Sequence, residues 1–424
     1  MNELPDKIKR LDVTIGTPNA TPAGALLKES NFVFHYSRDD EQQPAVSLLM
    51  PPAQTLYQDA DLFPSMDMNL PEGFLFQRII ELYPKRQLTK MDLLALMGSN
   101  AIGRVGYFLP GQKPQAPATI ARHDLLNTAS SDDLFKDLVR SYLSTGVGIS
   151  GVQPKVMVLT RASLPIPDAI VKVAGADFPG LAANEFMCLR AARLAKIDVP
   201  RCDLSADGKL LVIDRFDIED DGGRLGFEDI AALMGARVND RLSSRKYRGS
   251  YQAVAEAVST VSSNRAQDLN ALFAQIALSI MVRNGDAHLK NFGMLYTGPD
   301  EDNVRLSPVF DVVTTTIYQY ERPGGVLDVD RTMALKLRRG KHGTRAYPTT
   351  PELIAFGKEV CDVDSPAQVI QQIAQGMSEA LNEARTDPRI PAALRDNIET
   401  QWEWGLAMEK EASARRRQRD RSSE

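Results

Sequence analysis

Two hydrophobic rhythms divide the chain. Short β-branched and alternating apolar runs crowd its first half, whereas apolar positions spaced three and four apart dominate from about residue 226 onward. In the first hundred-odd residues, 13–15, 32–36 and 46–49 predict strands separated by turn-rich segments such as Thr17-Pro18-Asn19. Residues 74–82 and 91–97 predict helices, the second with Thr89 as its N-cap. The polar, proline-bearing stretch 110–117 predicts a boundary or a long loop. Beyond it, 155–159, 169–173 and 210–213 predict buried strands. Ala182, Phe186, Leu189 and Ala192 place a helix over 182–195. Residues 227–233, 251–258, 267–282, 366–383 and 392–411 then predict helices, with one β-like interruption at 292–295. Neither an internal repeat nor a heptad array is present.

Composition narrows this picture without deciding it. The 424 residues are 43% hydrophobic and 25% charged, with a net charge of −5, ordinary values for a soluble globular protein. They exclude a disordered, collagen-like or disulfide-stapled chain. Three cysteines (Cys188, Cys202, Cys361) stand far apart with no CxxC pair, which suits a reducing compartment and offers no zinc site. The first residues lack the apolar core of a signal peptide. The most apolar helical run, 269–282, carries Asn270, Gln275 and Ser279 and is too short to span a bilayer. A cytoplasmic protein with no membrane partner is expected, and its mild negative charge gives no global reason to bind nucleic acid.

Candidate chemistry changes the picture more. Gly146-Val-Gly148-Ile-Ser150-Gly151 spells G-x-G-x-x-G, whose glycines let backbone approach phosphates. In a dinucleotide site the third glycine opens a helix. Here Val152-Gln153-Pro154 leads into a strand, so a loop capping a β-hairpin is the better reading. Lys172 ends the apolar run 169–172, and Glu185 follows thirteen residues later inside a helix. Each alone reads as a solvated surface charge. Together they match the strand lysine and helix glutamate that serve the nucleotide phosphates in protein kinases. In Asn284-Gly-Asp286-Ala-His288-Leu-Lys290-Asn291, a carboxylate and an amide stand five positions apart. A kinase loop needs such a pair to take the acceptor proton and to bind magnesium. Asp311, twenty residues on, offers a second carboxylate where a magnesium-binding Asp belongs, although alone it reads equally well as a turn residue. The order of the five pieces suits a two-lobed α+β kinase, and no Walker A, HExxH, GxSxG or CxxC motif competes. ATP-dependent phosphoryl transfer with Mg2+ is expected.

The wording of these motifs resembles the HipA family, serine/threonine kinase toxins of bacterial toxin–antitoxin pairs. The matching stretches are Ile149-Ser-Gly-Val-Gln-Pro-Lys155, Val171-Lys172, Asn184-Glu185, Ile213-Asp-Arg-Phe-Asp217, Asn284 to Asn291 and Phe310-Asp-Val-Val313. Leu70-Pro-Glu-Gly73 and residues 93–103 extend the likeness into the N-terminal unit. The resemblance implies a two-lobed protein-kinase-like fold with an added N-terminal mixed α/β subdomain (1–125), a kinase N-lobe (126–225) and a mostly helical C-lobe (226–424). It implies that Ser150, Gly151, Val152, Gln153, Pro154 and Lys155 touch ATP phosphates and that Lys172 holds them, with Glu185 as its ion-pair partner. Asp214, Arg215 and Phe216 would form the adenine-side hinge. Asp286 would be the catalytic acceptor; His288, Leu289, Lys290 and Asn291 would line the phosphates, with Asn291 and Asp311 on magnesium. The implied partners are a HipB-like helix-turn-helix antitoxin, operator DNA reached through it (hence nucleoid association), and a protein substrate such as an aminoacyl-tRNA synthetase.

Residues 331–345 hold six basic side chains and no acidic one. Taking those six charges from the chain total of −5 leaves −11 on the rest. The segment reads as a solvated loop by itself; the resemblance makes Arg338, Arg339 and Lys341 DNA-backbone contacts, of the salt-dependent, sequence-blind kind. Arg415 to Arg419 reads as a continuation of the last helix. Two other readings stay open: a small-molecule or lipid kinase, and a catalytically silent corepressor of a DNA-bound antitoxin.

The family's autophosphorylated serine occupies either of two loop positions; here the first is Gly148 and the second Ser150. A phosphate on Ser150 would add about −1.5 to −2 charge where ATP phosphates must lie. Self-inactivation through Ser150 is therefore expected. Intact mass after incubation with Mg-ATP should rise by one phosphate in the wild type and not in Ser150→Ala, whereas an unchanged wild-type mass refutes it.

Overall fold

The structure is a computed structural model that describes residues 4–16, 21–37, 43–98, 100–112, 118–128, 130–145, 153–164, 166–174, 178–237, 244–297, 303–322, 325–340 and 343–421. Strands β1 (Arg10–Ile15), β2 (Thr21–Lys28), β3 (Phe32–Tyr36), β4 (Leu56–Asp59) and β5 (Val105–Phe108) form an antiparallel sheet in the order β4-β3-β2-β1-β5. Alternation in β1 turns Leu11, Val13 and Ile15 inward, where they share a core with Leu75 and Ile79 of helix Gly73–Leu82 and with Met91, Leu94 and Met97 of helix Lys90–Met97. The second helix starts where the sequence predicts it: Thr89 Oγ1 accepts from the Asp92 N–H (3.2 Å), and Asp92 accepts from the Thr89 N–H (2.8 Å).

A second antiparallel sheet, β6 (Lys155–Val158), β7 (Ala169–Val173), β8 (Cys202–Leu204) and β9 (Leu210–Asp214), runs in the order β6-β7-β9-β8. Both its faces are buried. Val156, Val171, Val173 and Val212 join the N-terminal core together with Phe135, Val139 and Tyr142 of helix Ser131–Thr145. Leu211 and Ile213 face the other way, onto helix Leu181–Leu194 and the large C-terminal core. That core gathers helices Tyr251–Val261, Arg265–Met281, Thr350–Glu359, Pro366–Ala384 and Ala392–Arg421, with Trp402, Phe273 and Phe356 fully buried. A third sheet, β10 (Gly226–Asp229), β11 (Gly293–Tyr296) and β12 (Arg305–Leu306), lies in its wall. Among the described residues no helix is long and apolar enough to cross a membrane.

Two sequence expectations fail for physical reasons. Residues 46–49 form no strand, because side chains take their backbone groups: the Val46 N–H goes to the Tyr36 hydroxyl (3.0 Å) and the Leu48 N–H to Glu228 (2.6 Å). Residues 227–233 are a strand and then a single helical turn, Ile230–Leu233, capped by Asp229. Strand pairing prevails there because Gly226 faces Tyr296 and Gly293 faces Asp229 across the ladder. A Cβ at Gly226 would lie 2.1 Å from the Tyr296 ring, and one at Gly293 2.3 Å from Phe227. Helix Ser131–Thr145, which the sequence reading did not mark, precedes the glycine-rich segment 146–151, which lies outside the described residues. The amphipathic spacing of Leu134, Phe135, Leu138, Val139 and Tyr142 carries that helix.

Glu228 joins the N-terminal unit to the C-terminal one. Its buried carboxylate accepts from the Ser47 hydroxyl (2.9 Å), the Leu48 N–H and the Tyr296 hydroxyl (2.9 Å). Burial pushes its pKa up to about 7, against the pull of those donors. The folded chain therefore keeps a proton that the unfolded chain releases at lower pH. The resulting stability is complete below the ordinary Glu range and is lost as pH rises through about 7, on the order of 1–3 kcal/mol in all. Urea midpoints compared at pH 5 and pH 8 should fall further in the wild type than in Glu228→Gln; equal falls contradict this.

Candidate active site

The site begins with a register. Lys155 and Lys172 are direct partners across β6 and β7, both buried and both on the face away from the valine layer. Like charges placed opposite one another are unfavourable, and two carboxylates offset them. The Lys172 ammonium donates to Glu185 Oε1 (2.6 Å) and to Asp311 Oδ1, while Lys155 Nζ lies 3.7 Å from Asp311 Oδ2. Burial alone would push Lys172 down, but Asp311 and Glu185 together raise it. Lys155, with a more distant partner, is lowered by burial. Burial also opposes ionisation of Asp311, yet the two lysines hold its carboxyl well below the usual carboxylate range. Glu185 is raised by burial against the pull of Lys172.

Glu185 is placed by its helix, and that helix is held by the C-terminal unit. At the crossing with helix Pro366–Ala384, a Cβ on Gly376 would sit 2.4 Å from the Ala191 carbonyl. Asn184 accepts the Thr314 N–H (2.9 Å) and donates to the Thr314 carbonyl (3.0 Å) and the Tyr318 hydroxyl (3.2 Å). Trp402 donates to Thr314 Oγ1 at 2.8 Å. Asp311 lies three residues before this anchor in the left-handed region, φ +54°, a conformation that costs a non-glycine residue on the order of 1 kcal/mol. Its side chain remains 31% exposed, so the cluster is open on one side.

The second part is the loop after helix Arg265–Met281. Arg283 adopts φ +61° while its guanidinium lies over Trp404 (3.9 Å) and Tyr347 (4.6 Å). The Thr315 hydroxyl donates to the Arg283 carbonyl (3.1 Å) and accepts the Gly285 N–H (2.8 Å). Asn284 Oδ1 accepts the Asp286 N–H at 3.0 Å. These bonds present Asp286 to solvent, where the Tyr247 hydroxyl donates to its Oδ1 at 2.6 Å. Asn291 folds back, Oδ1 accepting the His288 N–H at 3.0 Å. Burial lowers His288 to about 4, with Lys246 and Lys290 adding to the effect, so its ring is neutral at physiological pH. Leu289 is buried in the large core.

Other expected site residues lie elsewhere or turn away. Lys290 donates to Glu72 Oε1 (2.5 Å) and the Met68 carbonyl (3.0 Å) of the N-terminal unit, and Lys246 lies 3.7 Å from Glu72 Oε2. Asp214 pairs with Arg122. Arg215, buried, pairs with Asp217 (2.6 Å) and donates to the Pro167 and Ala101 carbonyls. Phe216 packs against Phe227 and Phe310, each with centroids 5.5 Å away, making an apolar wall next to Asp311. Gln153 and Pro154 bond Val173, through a side-chain donor (3.3 Å) and a carbonyl acceptor (3.1 Å). Arg338 and Arg339 make exposed pairs with Glu359 (2.8 Å) and Glu256 (2.5 Å). Ser150, Gly151, Val152 and Lys341 lie outside the described residues. Among those described, no cluster of three or more His, Cys, Asp or Glu could hold a metal ion. Tyr247 and Arg283 carry no sequence signal of their own; Glu72 was marked only by the Leu70-Pro-Glu-Gly73 wording.

Residues 147–384 match the family described as HipA-like C-terminal domain, and residues 13–108 match the HipA N-terminal domain. The chain belongs to the HipA family. A structural neighbour of this HipA-family chain is the Shewanella oneidensis MR-1 toxin–antitoxin system HipA, HipB and operator DNA complex, with a TM-score of 0.68 and 17% identity over 95% of this chain and 97% of that one. This likeness establishes the two-lobed, kinase-like α+β architecture. Two curated proteins of Sinorhizobium fredii, "Putative kinase Y4dM" and "Putative kinase Y4mE", are each 29% identical, over 178 and 226 residues. The matches cover 38% and 50% of this chain, and 41% and 50% of those proteins, so the chain spans about half the length of the curated relatives it matches.

Glu72 is the anion between two nearly buried cations, Lys246 and Lys290, from the C-terminal half of the molecule. Glu72→Gln should lower unfolding stability by on the order of 2–4 kcal/mol, because it removes the carboxylate that faces both buried charges. Arg78→Ala, which breaks an exposed pair with Glu81, should cost under about 1 kcal/mol. Equal urea midpoints for the two variants would refute the role.

Proposed function

We propose that this protein is an ATP- and Mg2+-dependent serine/threonine protein kinase, a HipA-type toxin acting on an essential host protein such as an aminoacyl-tRNA synthetase. The observation that carries the reading is the Lys172–Glu185–Asp311 cluster, joined to a loop that presents Asp286 on one side and Asn291 on the other. Lys172 and Lys155 supply positive charge for the β- and γ-phosphates. Glu185 keeps Lys172 aimed from below, and the Phe216–Phe310 wall suits a planar base.

Asp311 and Asn291 fit magnesium by donor chemistry: both offer oxygen, and magnesium takes oxygen ligands. The ion would neutralise charge on the phosphates. Asp286 accepts the proton of the acceptor hydroxyl while the acceptor oxygen bonds to the γ-phosphorus and the bond from that phosphorus to the ADP oxygen breaks. Ser150, in the glycine-rich segment, is the proposed site of self-inactivation.

The partnership with a HipB-like antitoxin and operator DNA is proposed from the Shewanella complex. Arg338 and Arg339 suit the DNA role because their exposed carboxylate pairs are weak and can be exchanged for backbone phosphates; Lys341 belongs to the same basic run of the sequence.

General-base catalysis contributes about 10²–10⁴-fold. Asp286→Asn should slow phosphate transfer by that factor while leaving ATP affinity within about threefold. Phosphoproteomics after induced expression, wild type against Asp286→Asn, should show a small set of serine or threonine sites lost in the variant. Transfer to a metabolite panel and not to protein would overturn the assignment of substrate class.

A further inference from the structure

Tyr247 does more than border the loop. It ends a single 3-10 turn, Ser244–Tyr247, and its hydroxyl lies 2.6 Å from Asp286 Oδ1. Among the described residues this phenol is the side-chain donor that reaches that carboxylate. Its ring stands edge-on to His288, 5.1 Å between centroids, and Lys246 Nζ lies 5.5 Å from the ring centre. Lys246 in turn faces Glu72. Burial and the neighbouring Asp286 both push the phenol's pKa up, so the group arrives as a neutral O–H donor. An acceptor hydroxyl must make the same O–H···O⁻ contact with the base at 2.6–3.2 Å before it is phosphorylated.

We infer that Tyr247 is a built-in placeholder for the acceptor hydroxyl. It occupies the base in the idle enzyme, keeps water out of the transfer position, and yields only to an acceptor that brings its own binding energy. The inference rests on the reading of Asp286 as the proton acceptor. Two features favour displacement over a fixed support. The ring is only half-buried, so it can leave by rotating its side chain. Two residues on, Gly249 takes φ +132° with nothing closer than 3.9 Å around its would-be Cβ, which leaves room for the turn to shift. A donor that stayed on the carboxylate would also lower the basicity the reaction needs.

The test is ATP hydrolysis with water as the acceptor. Tyr247→Phe keeps the ring on His288 and removes the hydroxyl; Tyr247→Leu removes both. Each should raise the kcat for hydrolysis about tenfold, the scale of one charge-assisted hydrogen bond, with the KM for ATP unchanged. Adding Asp286→Asn should abolish the gain. Unchanged hydrolysis in both tyrosine variants, or a fall in kcat at constant KM, makes Tyr247 a fixed support and overturns the placeholder. Phosphate found on Tyr247 of the wild type after Mg-ATP incubation makes it an acceptor and overturns it too. Hydrolysis that survives Asp286→Asn overturns the reading of Asp286 itself, and the placeholder with it.

Discussion

Everything at the centre of this molecule depends on the pair of lysines that β-sheet register forces side by side. Two buried ammonium groups are unstable neighbours unless anions meet them. Glu185 meets Lys172 from the helix, and Asp311 reaches both lysines from a backbone held at positive φ. Each carboxylate needs a rigid support to hold its place, and the supports come from distant parts of the chain. Helix Leu181–Leu194 is pressed against helix Pro366–Ala384 at Gly376, and the segment after Asp311 is pinned by Asn184 and Trp402. The charge cluster therefore couples the small sheet to the helical unit more directly than the chain connection between them does.

A second coupling runs through the N-terminal unit. Its core continues into the β6–β9 sheet, so one apolar body backs the valine face of β7 while the lysine face carries the charges. The same unit reaches the C-terminal half twice, through Glu228 against Ser47 and Leu48 and through Glu72 against Lys290 and Lys246. A carboxylate at each joint sets orientation in a way that apolar contact alone would leave loose. In this HipA-family chain the N-terminal unit is part of what shapes the loop that carries Asp286, and its removal would expose both a core face and two cations.

The loop itself shows how strain and function coincide. Arg283 and Asp311 both adopt left-handed backbone, and each is held by specific contacts: two aromatic rings for the first, two lysines for the second. Such conformations persist only where surroundings over-determine them. The result is an exposed Asp286 whose backbone is fixed and whose carboxylate accepts from the Tyr247 phenol.

The residue order determined much by itself. The helix capped by Thr89, the lysine strand 169–173, the glutamate helix, and the Asp286–Asn291 and Asp311 motifs were legible because period, capping and spacing are local properties. The strand Gly226–Asp229 was misread as helix because the evidence for it is a cross-strand fit of Gly226 and Gly293 around two rings from elsewhere in the chain. Residues 46–49 were misread because the groups that capture their backbone belong to Tyr36 and Glu228. Lys290 matched a phosphate-lining motif, yet its amine turns to Glu72, more than two hundred residues away. Tyr247 had no spacing to announce it. Charge pairing, aromatic packing and close backbone approach act between residues remote in sequence, so only the tertiary structure could decide them.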